Sequence, residues 1–585
     1  MKQQLKRVVV VGNSKYIDCG SGVRLERGVA CPLQDGMVLR SDHYYPAAEE
    51  HGVGPQPTLL MRQPYGRDIA STVVYAHPVW FARHGYNVVI QDVRGRGDSE
   101  GEFYPFRHER HDGAETIAWL RTRPESNGKV GMYGFSYQGM TQLLAAAERP
   151  EGLLCIAPAM TACDLYHGWF YDQGALRLAS SLGWGLQMLK ADARRLHLRQ
   201  ASDALEAAWG NVRSQSMFTP YGAHPALDDK GLPSYVRDWV VHSEPGEYWS
   251  AMDVSACMAQ IDVPALHVSG WYDTYLKGSY EGFVRLCAEA GSQHAREHQY
   301  LLAGPWVHIP WGEQIGDRDF GSEALFDTDQ LLLRWFNHWL KDSGEFAEEP
   351  RVRHFALGAN RWYASTTARG GGSLHLYLQS EGRAESRKGD GTLLAEPAVH
   401  LQPPDVFVYD PEVPVLAPGG AQSMSGPANQ SALELGNNLL IYTTDALPAA
   451  VHVLGEPTLV LYASTSAGQA DFTGKLVRVT TDGRAEFICI GIARSSYVFP
   501  DRSYAADAIH KWEFKLEPTS CVFAAGERIR LEVASSAFPL YDRNPSTDVK
   551  PREMDSCNWG RSTQFVYHDA QHPSVLQLPV VEETR

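Results

Sequence analysis

Three residues of this 585-residue chain have the types and the order that acyl transfer requires. Ser136 lies in GMYGFSYQGM (131–140), Asp273 in SGWYDTY (269–275) and His308 in AGPWVH (303–308). A serine hydroxyl attacks an acyl carbon only if a neighbouring base takes its proton, and a histidine doing so is oriented by a carboxylate. The reaction also needs donors where the carbonyl oxygen turns negative, and losing one costs about 10²- to 10³-fold in rate. Two candidates are the backbone N–H of Tyr137, next after the serine, and the hydroxyl of Tyr65 in RQPYG (62–66). Taken alone, a tyrosine in a P-Y-G turn or a serine after a strand is more often structural. The serine stretch also departs from the usual G-x-S-x-G turn: Gly134 stands two before Ser136, but Gln138 stands two after, and the glycine comes at 139.

Each of the three follows a short apolar run that reads as a strand: KVGMYG (129–134), PALHVSG (264–270) and QYLLAG (299–304). They therefore sit at carboxyl ends of strands, where clefts open in α/β sheets. The order serine, acid, histidine is that of an α/β-hydrolase. Upstream, residues 23–45 alternate around a Q-D-G turn as a hairpin, and PTLLMRQPYG (57–66) and NVVI (87–90) read as strands. DGAETIAWLRTR (112–123) and YQGMTQLLAAAERP (137–150) have helical spacing. Strands alternating with helices predict a doubly wound, mostly parallel sheet. From residue 160 the alternation stops in favour of several helices, which predicts an inserted helical cap. TDQLLLRWFNHWLKDSG (328–344) reads as the closing helix, and beyond it short strands between Gly, Pro, Asn and Asp predict a β-sandwich or jelly roll. The expected division is 1–159 and 259–350 for the two parts of the α/β-hydrolase domain, 160–258 for the cap and 351–585 for an all-β jelly roll. The Pro/Gly-rich stretch 403–430 reads as a long loop.

A net charge of −16 without a basic stripe argues against nucleic acid as a partner. ADARRLHLRQ (191–200) reads as one solvated helix face. Nine scattered cysteines without a C-x-x-C pair fit reduced thiols of a cytoplasmic protein. The N-terminal MKQQLKRVVVVGNSKY has only four consecutive valines, too few for a signal peptide, and no run nears the roughly 18 apolar residues of a membrane span. His108 and His111 in FRHERHD (106–112), beside Glu109 and Asp112, are not H-E-x-x-H and read as a solvated helix start. RGRGDSEG (94–101) is not a phosphate-cradling loop, and Asp262 precedes its strand and would lie at the wrong sheet edge. Neither metal nor cofactor is expected.

RQPYGRD (62–68), IQDVRGRGDSEGEF (90–103), GMYGFSYQGMTQ (131–142), SGWYDTY and AGPWVH together resemble the CocE/NonD hydrolases, relatives of the α-amino-acid ester hydrolases and X-Pro dipeptidyl-peptidases. The family's nucleophile motif, G-x-S-Y-x-G, is matched by Gly134, Ser136, Tyr137 and Gly139. DFTGKLVRVTTDGRA (471–485) and LEVASSAFPLYDRNPST (531–547) resemble its C-terminal, galactose-binding-like jelly roll, so the likeness spans roughly residues 25–550. The resemblance implies Ser136 as nucleophile, His308 as base, Asp273 as orienter, and the Tyr65 hydroxyl and Tyr137 amide as oxyanion donors. α-Amino-acid ester hydrolases carry further carboxylates just after the acid; here TYLKGSY (274–280) has none and Lys277 has the opposite sign. Asp164 or Asp172 of the cap could supply one, although an acid there is more often solvated. Cocaine-esterase-like members flank the acyl pocket with aromatics, which would be Trp169 and Tyr275; either could equally be core. The expected function is hydrolysis of a medium-sized, partly apolar carboxylic ester through an acyl-enzyme. The alternative is an amide hydrolase, such as an X-Pro dipeptidyl-peptidase or a β-lactam side-chain acylase. A binding protein using only its jelly roll is the reading of another class. A small ester or amide is the expected partner, with a homodimer expected from the family alone.

Overall fold

The structure is a computed structural model that describes residues 17–582 except 21, 47–53, 228–230, 421–424, 502 and 550–557. The N-terminal segment 1–16 and Cys557 lie outside the described residues. The main sheet has 11 strands: β1 (Ile17–Asp18), β2 (Arg24–Pro32), β3 (Val38–Tyr45), β4 (Gln56–Gln63), β5 (Asn87–Asp92), β6 (Ser126–Phe135), β7 (Leu153–Ala159), β8 (Ala265–Gly270), β9 (Gln299–Gly304), β10 (Val352–Ala356) and β11 (Arg361–Ser365). In space they run β1-β2-β3-β5-β4-β6-β7-β8-β9-β10-β11. The strands from β5 across to β10 are parallel; β1, β2, β3 and β11 add antiparallel edges. A parallel sheet is buried on both faces, which is why β5 and β8 are buried at every position rather than alternating. One face packs on the helices Glu109–Arg121 and Tyr137–Ala147, the other on Pro78–Arg83 and Thr328–Lys341.

Two strands beyond the expected boundary at 350/351 still pair with the main sheet. β10 and β11 lie beyond it, yet β10 pairs in parallel with β9 (Leu301 opposite Val352) and β11 closes the edge. Their short runs read as part of the β-rich half because sequence periodicity does not say which sheet a strand joins. The half that follows forms a second sheet of 13 strands from Gly372 to Val580, almost wholly antiparallel, with Asp471–Val479 and Ala485–Arg494 buried along their whole length. The stretch expected as a long loop contributes a strand, Asp405–Tyr409, paired with Ser562–Tyr567. The two halves are joined by backbone: Leu357 N–H donates to Ser520 O at 2.8 Å and Val522 N–H to Leu357 O at 2.8 Å.

Between β7 and β8 the chain leaves the sheet for a mainly helical excursion, with Leu178–Arg195 and Arg199–Trp209 as its longest helices and one minimal hairpin, Tyr171–Asp172 with Ala175–Leu176. Among the described residues no helix is long and apolar enough to cross a membrane. The eight described cysteines are unpaired, and five of them are buried.

Candidate active site

β6 ends at Phe135, and Ser136 turns the chain straight into the helix Tyr137–Ala147 with φ 63° and ψ −128°. A non-glycine residue in that region costs about 1–3 kcal/mol and persists only where its surroundings hold it. Here Ser136 N–H donates to Ala159 O at 2.8 Å, and its own carbonyl accepts from Gly139 N–H at 2.9 Å. The departure from G-x-S-x-G has a local cause. Gln138 is buried and used: its Oε1 accepts from Phe135 N–H at 3.1 Å, and its Nε2 donates to Gln63 Oε1 at 3.1 Å and Ser71 Oγ at 2.5 Å. The close approach falls one residue later, where a Cβ on Gly139 would stand 2.6 Å from Thr161 Cβ and 3.0 Å from Ala159 O.

Asp273 and His308 come from the loops after β8 and β9, neighbours in register from Ala265/Gln299 to Gly270/Gly304. The loops are tied to each other, Trp271 N–H donating to Gly304 O at 2.9 Å and Tyr272 N–H to Trp306 O at 3.0 Å. His308 Nδ1 meets Asp273 Oδ2 at 2.6 Å, and Asp273 Oδ1 accepts the Tyr275 N–H at 2.8 Å. The carboxylate is fully buried while the imidazole keeps 15% side-chain exposure, so Asp273 is shielded and the His308 ring is reachable. The Phe135 ring, one residue before the serine, lies 5.3 Å from the His308 ring.

Burial raises the pKa of the Tyr65 hydroxyl, and the neighbouring Trp184 and Ser136 side chains partly offset the rise. Tyr137 divides its duties. Its hydroxyl donates to Glu109 Oε1 at 2.8 Å and accepts from Phe106 N–H at 3.0 Å, fixing the helix start. Its backbone N–H belongs to the first helical residue, where no intrahelical acceptor exists. Trp169 and Tyr275 are both buried and stack on each other at 4.0 Å, with Tyr275 edge-on to His308 at 5.2 Å. They are thus brought together beside His308. Trp184 completes the same aromatic wall, 5.7 Å from Trp169 and 6.1 Å from Tyr137. The sequence reading missed it because its position in the excursion carries no motif.

Other singled-out residues have other partners. Asp172, expected among solvated acids, is 1% exposed because it is a counter-charge: Oδ1 meets Lys277 Nζ at 2.5 Å, and Oδ2 meets the Tyr541 hydroxyl at 2.9 Å and Arg177 at 3.4 Å. Burial opposes its charge, but Lys277 and Arg177 outweigh it and its pKa falls below the ordinary value. Asp164 accepts from His167 at 2.8 Å. Glu109, placed by the sequence reading at a solvated helix start, is 2% exposed and ion-paired with Arg62 at 2.8 Å; Asp112 is likewise buried and pairs with Arg94 at 2.7 Å. His111 remains exposed. Asp262 lies beside Arg149 at 3.8 Å, away from the site. Among the described residues no group of three or more His, Cys, Asp or Glu is placed to hold a metal ion.

With this sheet and these loops, the chain matches two family definitions: "X-Pro dipeptidyl-peptidase (S15 family)" over residues 35–310 and "X-Pro dipeptidyl-peptidase C-terminal non-catalytic domain" over 344–577. The chain belongs to the CocE/NonD family of hydrolases within this S15 group. It is 33% identical to the cocaine esterase of Rhodococcus sp. (strain MB1 Bresler) over 582 residues, covering 95% of this chain and 98% of that one. In fold it is similar to an aminopeptidase from a marine sediment Thaumarchaeota archaeon (TM-score 0.79, 23% identity, 100% and 99% of the chains). It is also similar to an α-amino acid ester hydrolase (TM-score 0.78, 24% identity, 98% of each chain).

Proposed function

We propose that the chain hydrolyses carboxylic esters through an acyl-enzyme formed on Ser136. The observation that carries this reading is the 2.6 Å Asp273–His308 pair at the strand ends where Ser136 is held in its strained turn. With Nδ1–H given to Asp273, the other ring nitrogen, Nε2, is left to accept the Ser136 proton. Ser136 Oγ then bonds to the acyl carbon, and the Tyr65 hydroxyl and Tyr137 N–H receive the oxyanion. The C–O bond to the leaving group breaks as His308 returns the proton to it. Water, deprotonated by the same histidine, releases the acid and restores the serine.

The excursion between β7 and β8 serves as a helical cap, and the C-terminal half is a jelly roll. The wall of Trp169, Trp184 and Tyr275 suits a partly apolar, medium-sized acyl or leaving group. A peptidase or ester hydrolase that recognises an α-ammonium group needs an acid free to receive it. Asp172 already carries Lys277 and Arg177, which favours esters without that group. The test is turnover of p-nitrophenyl butyrate beside Gly-Pro-p-nitroanilide and a β-lactam side-chain amide. Ester cleavage that Ser136→Ala reduces by up to about 10⁶-fold, with both amides inert, is expected. Unchanged turnover in Ser136→Ala removes the reading, and amide cleavage at comparable rate replaces it with an amidase.

A further inference from the structure

Arg177 is wholly buried at the junction of the minimal hairpin and the helix Leu178–Arg195. Its partners come from three parts of the chain. Nη1 donates to the carbonyl of Thr274, the residue next to Asp273, at 3.0 Å. Nη2 reaches Asp172 Oδ2 at 3.4 Å, and Nη1 lies 3.7 Å from Glu517 Oε1 of the C-terminal half. The Tyr541 ring stands 5.9 Å from the guanidinium carbon, and the Tyr541 hydroxyl donates to Asp172. Asp273 itself lies within electrostatic reach of this guanidinium.

Two features set this cluster apart from ordinary packing. A buried cation without compensation costs several kcal/mol, so its counter-charges fix where it can sit. Glu517 is 1% exposed and neither of its carboxyl oxygens has a hydrogen-bond partner among the described residues; Arg177 is the nearest cation paired with it. A carboxylate placed so poorly for itself is placed for something else.

We propose that Arg177 is a positioning residue for the catalytic acid, holding the Asp273–Thr274 turn by its carbonyl, and that Glu517 of the C-terminal domain is the counter-charge that keeps Arg177 there. The inference rests on the triad reading above. It makes the second domain part of the support of the active site, with the connection running Glu517, Arg177, Thr274 carbonyl, Asp273, His308.

The experiment measures kcat and KM on p-nitrophenyl butyrate, per active site titrated to completion with a p-nitrophenyl phosphonate. Wild type is compared with Arg177→Met, Arg177→Lys and Glu517→Gln, and Ser136→Ala serves as the control. A misplaced acid lowers kcat with little change in KM, because small displacements of a catalytic group cost up to about 100-fold. Arg177→Met is expected to lose about 10- to 100-fold in kcat per site. Arg177→Lys, which keeps the charge but not the fork, should lose less. Glu517→Gln should lose roughly two- to tenfold. A purely structural Arg177 would lower the number of titratable sites and leave kcat per site within about twofold of wild type, which overturns the proposal. If Arg177→Met does not fold, the same criterion is applied to Arg177→Lys. Full kcat in Glu517→Gln overturns the role of the second domain. Loss of the triad reading is seen separately, as undiminished turnover in Ser136→Ala.

Discussion

The loops carrying Tyr65 and Asp273 are each fastened by a buried or half-buried arginine, but in opposite ways. The loop carrying Tyr65 is fastened locally. Arg67, two residues on, reaches Asp42 at 2.8 Å, Asp92 at 2.5 Å and Asp98 at 2.6 Å, and its backbone N–H donates to Asp92 at 2.7 Å. All three acids belong to β3, β5 or the turn after β5, and Asp98 is open to solvent. The loop carrying Asp273 is fastened from a distance, by an arginine of the helical excursion whose counter-charges lie at residues 172 and 517. A locally clamped loop keeps its geometry as long as its own half is folded. On the proposal above, the Asp273 loop depends in addition on how the helical excursion and the C-terminal half meet.

The largest expected effect probes the acid loop at its end point. Asp273→Asn should leave the fold intact and lower kcat about 10⁴-fold, since the wrong histidine tautomer is then favoured; a loss below about 100-fold would remove Asp273 from the role of orienter. On the other loop, Tyr65→Phe should lower kcat about 10²-fold with KM nearly unchanged. A change under threefold takes the Tyr65 hydroxyl out of the oxyanion site. Smaller again is Arg67→Lys, which cannot span three carboxylates with one ammonium and should lower kcat roughly tenfold. If Arg67 acts through Tyr65, most of that loss vanishes in the Tyr65→Phe background, which a double-mutant cycle measures. Additive losses would mean that the two loops share support the comparison does not contain.

The same contrast explains what was legible in the sequence. The strand-end positions of Ser136, Asp273 and His308 and the pairing of the last two could be read because each follows a strand-like run and their order follows the topology. Tyr65 and Arg67 lie in one motif, RQPYGRD, and Asp92 and Asp98 in another, IQDVRGRGDSEGEF, so short stretches hold the clamp and its partners. Arg177 gave no such signal. Its partners lie 97 residues away at Thr274 and in the second domain at Glu517, and no spacing rule connects them. For the same reason Asp172 read as a solvated acid: its burial comes from Lys277 and from Tyr541, 369 residues distant. β10 and β11 read with the β-rich half yet pair with the main sheet, because strand character is local and sheet membership is not.

The smallest effect is one of stability, and it tests whether Glu517 is kept at a cost. Burial pushes its pKa from 4.5 up to about 7, with Arg177 pulling it back only in part. The folded chain therefore binds this proton more tightly than the unfolded one. Its contribution to stability is full below about pH 4.5, declines as pH rises toward 7 and stays lost above it. Glutamine imitates the protonated form at every pH. Glu517→Gln should accordingly unfold at nearly the wild-type temperature at pH 4.5 and at a higher temperature than wild type at pH 8. The gap should grow with pH and approach about 3 kcal/mol at most. Thermal unfolding of both proteins across that range checks it. A variant more stable at pH 8 yet lower in kcat per site would mean that the carboxylate is retained for the acid loop and against stability, as a functional residue is. A gap that stays flat or closes with pH would mean that Arg177 fully compensates the charge, and the acid loop would then be fastened as tightly as the Tyr65 loop.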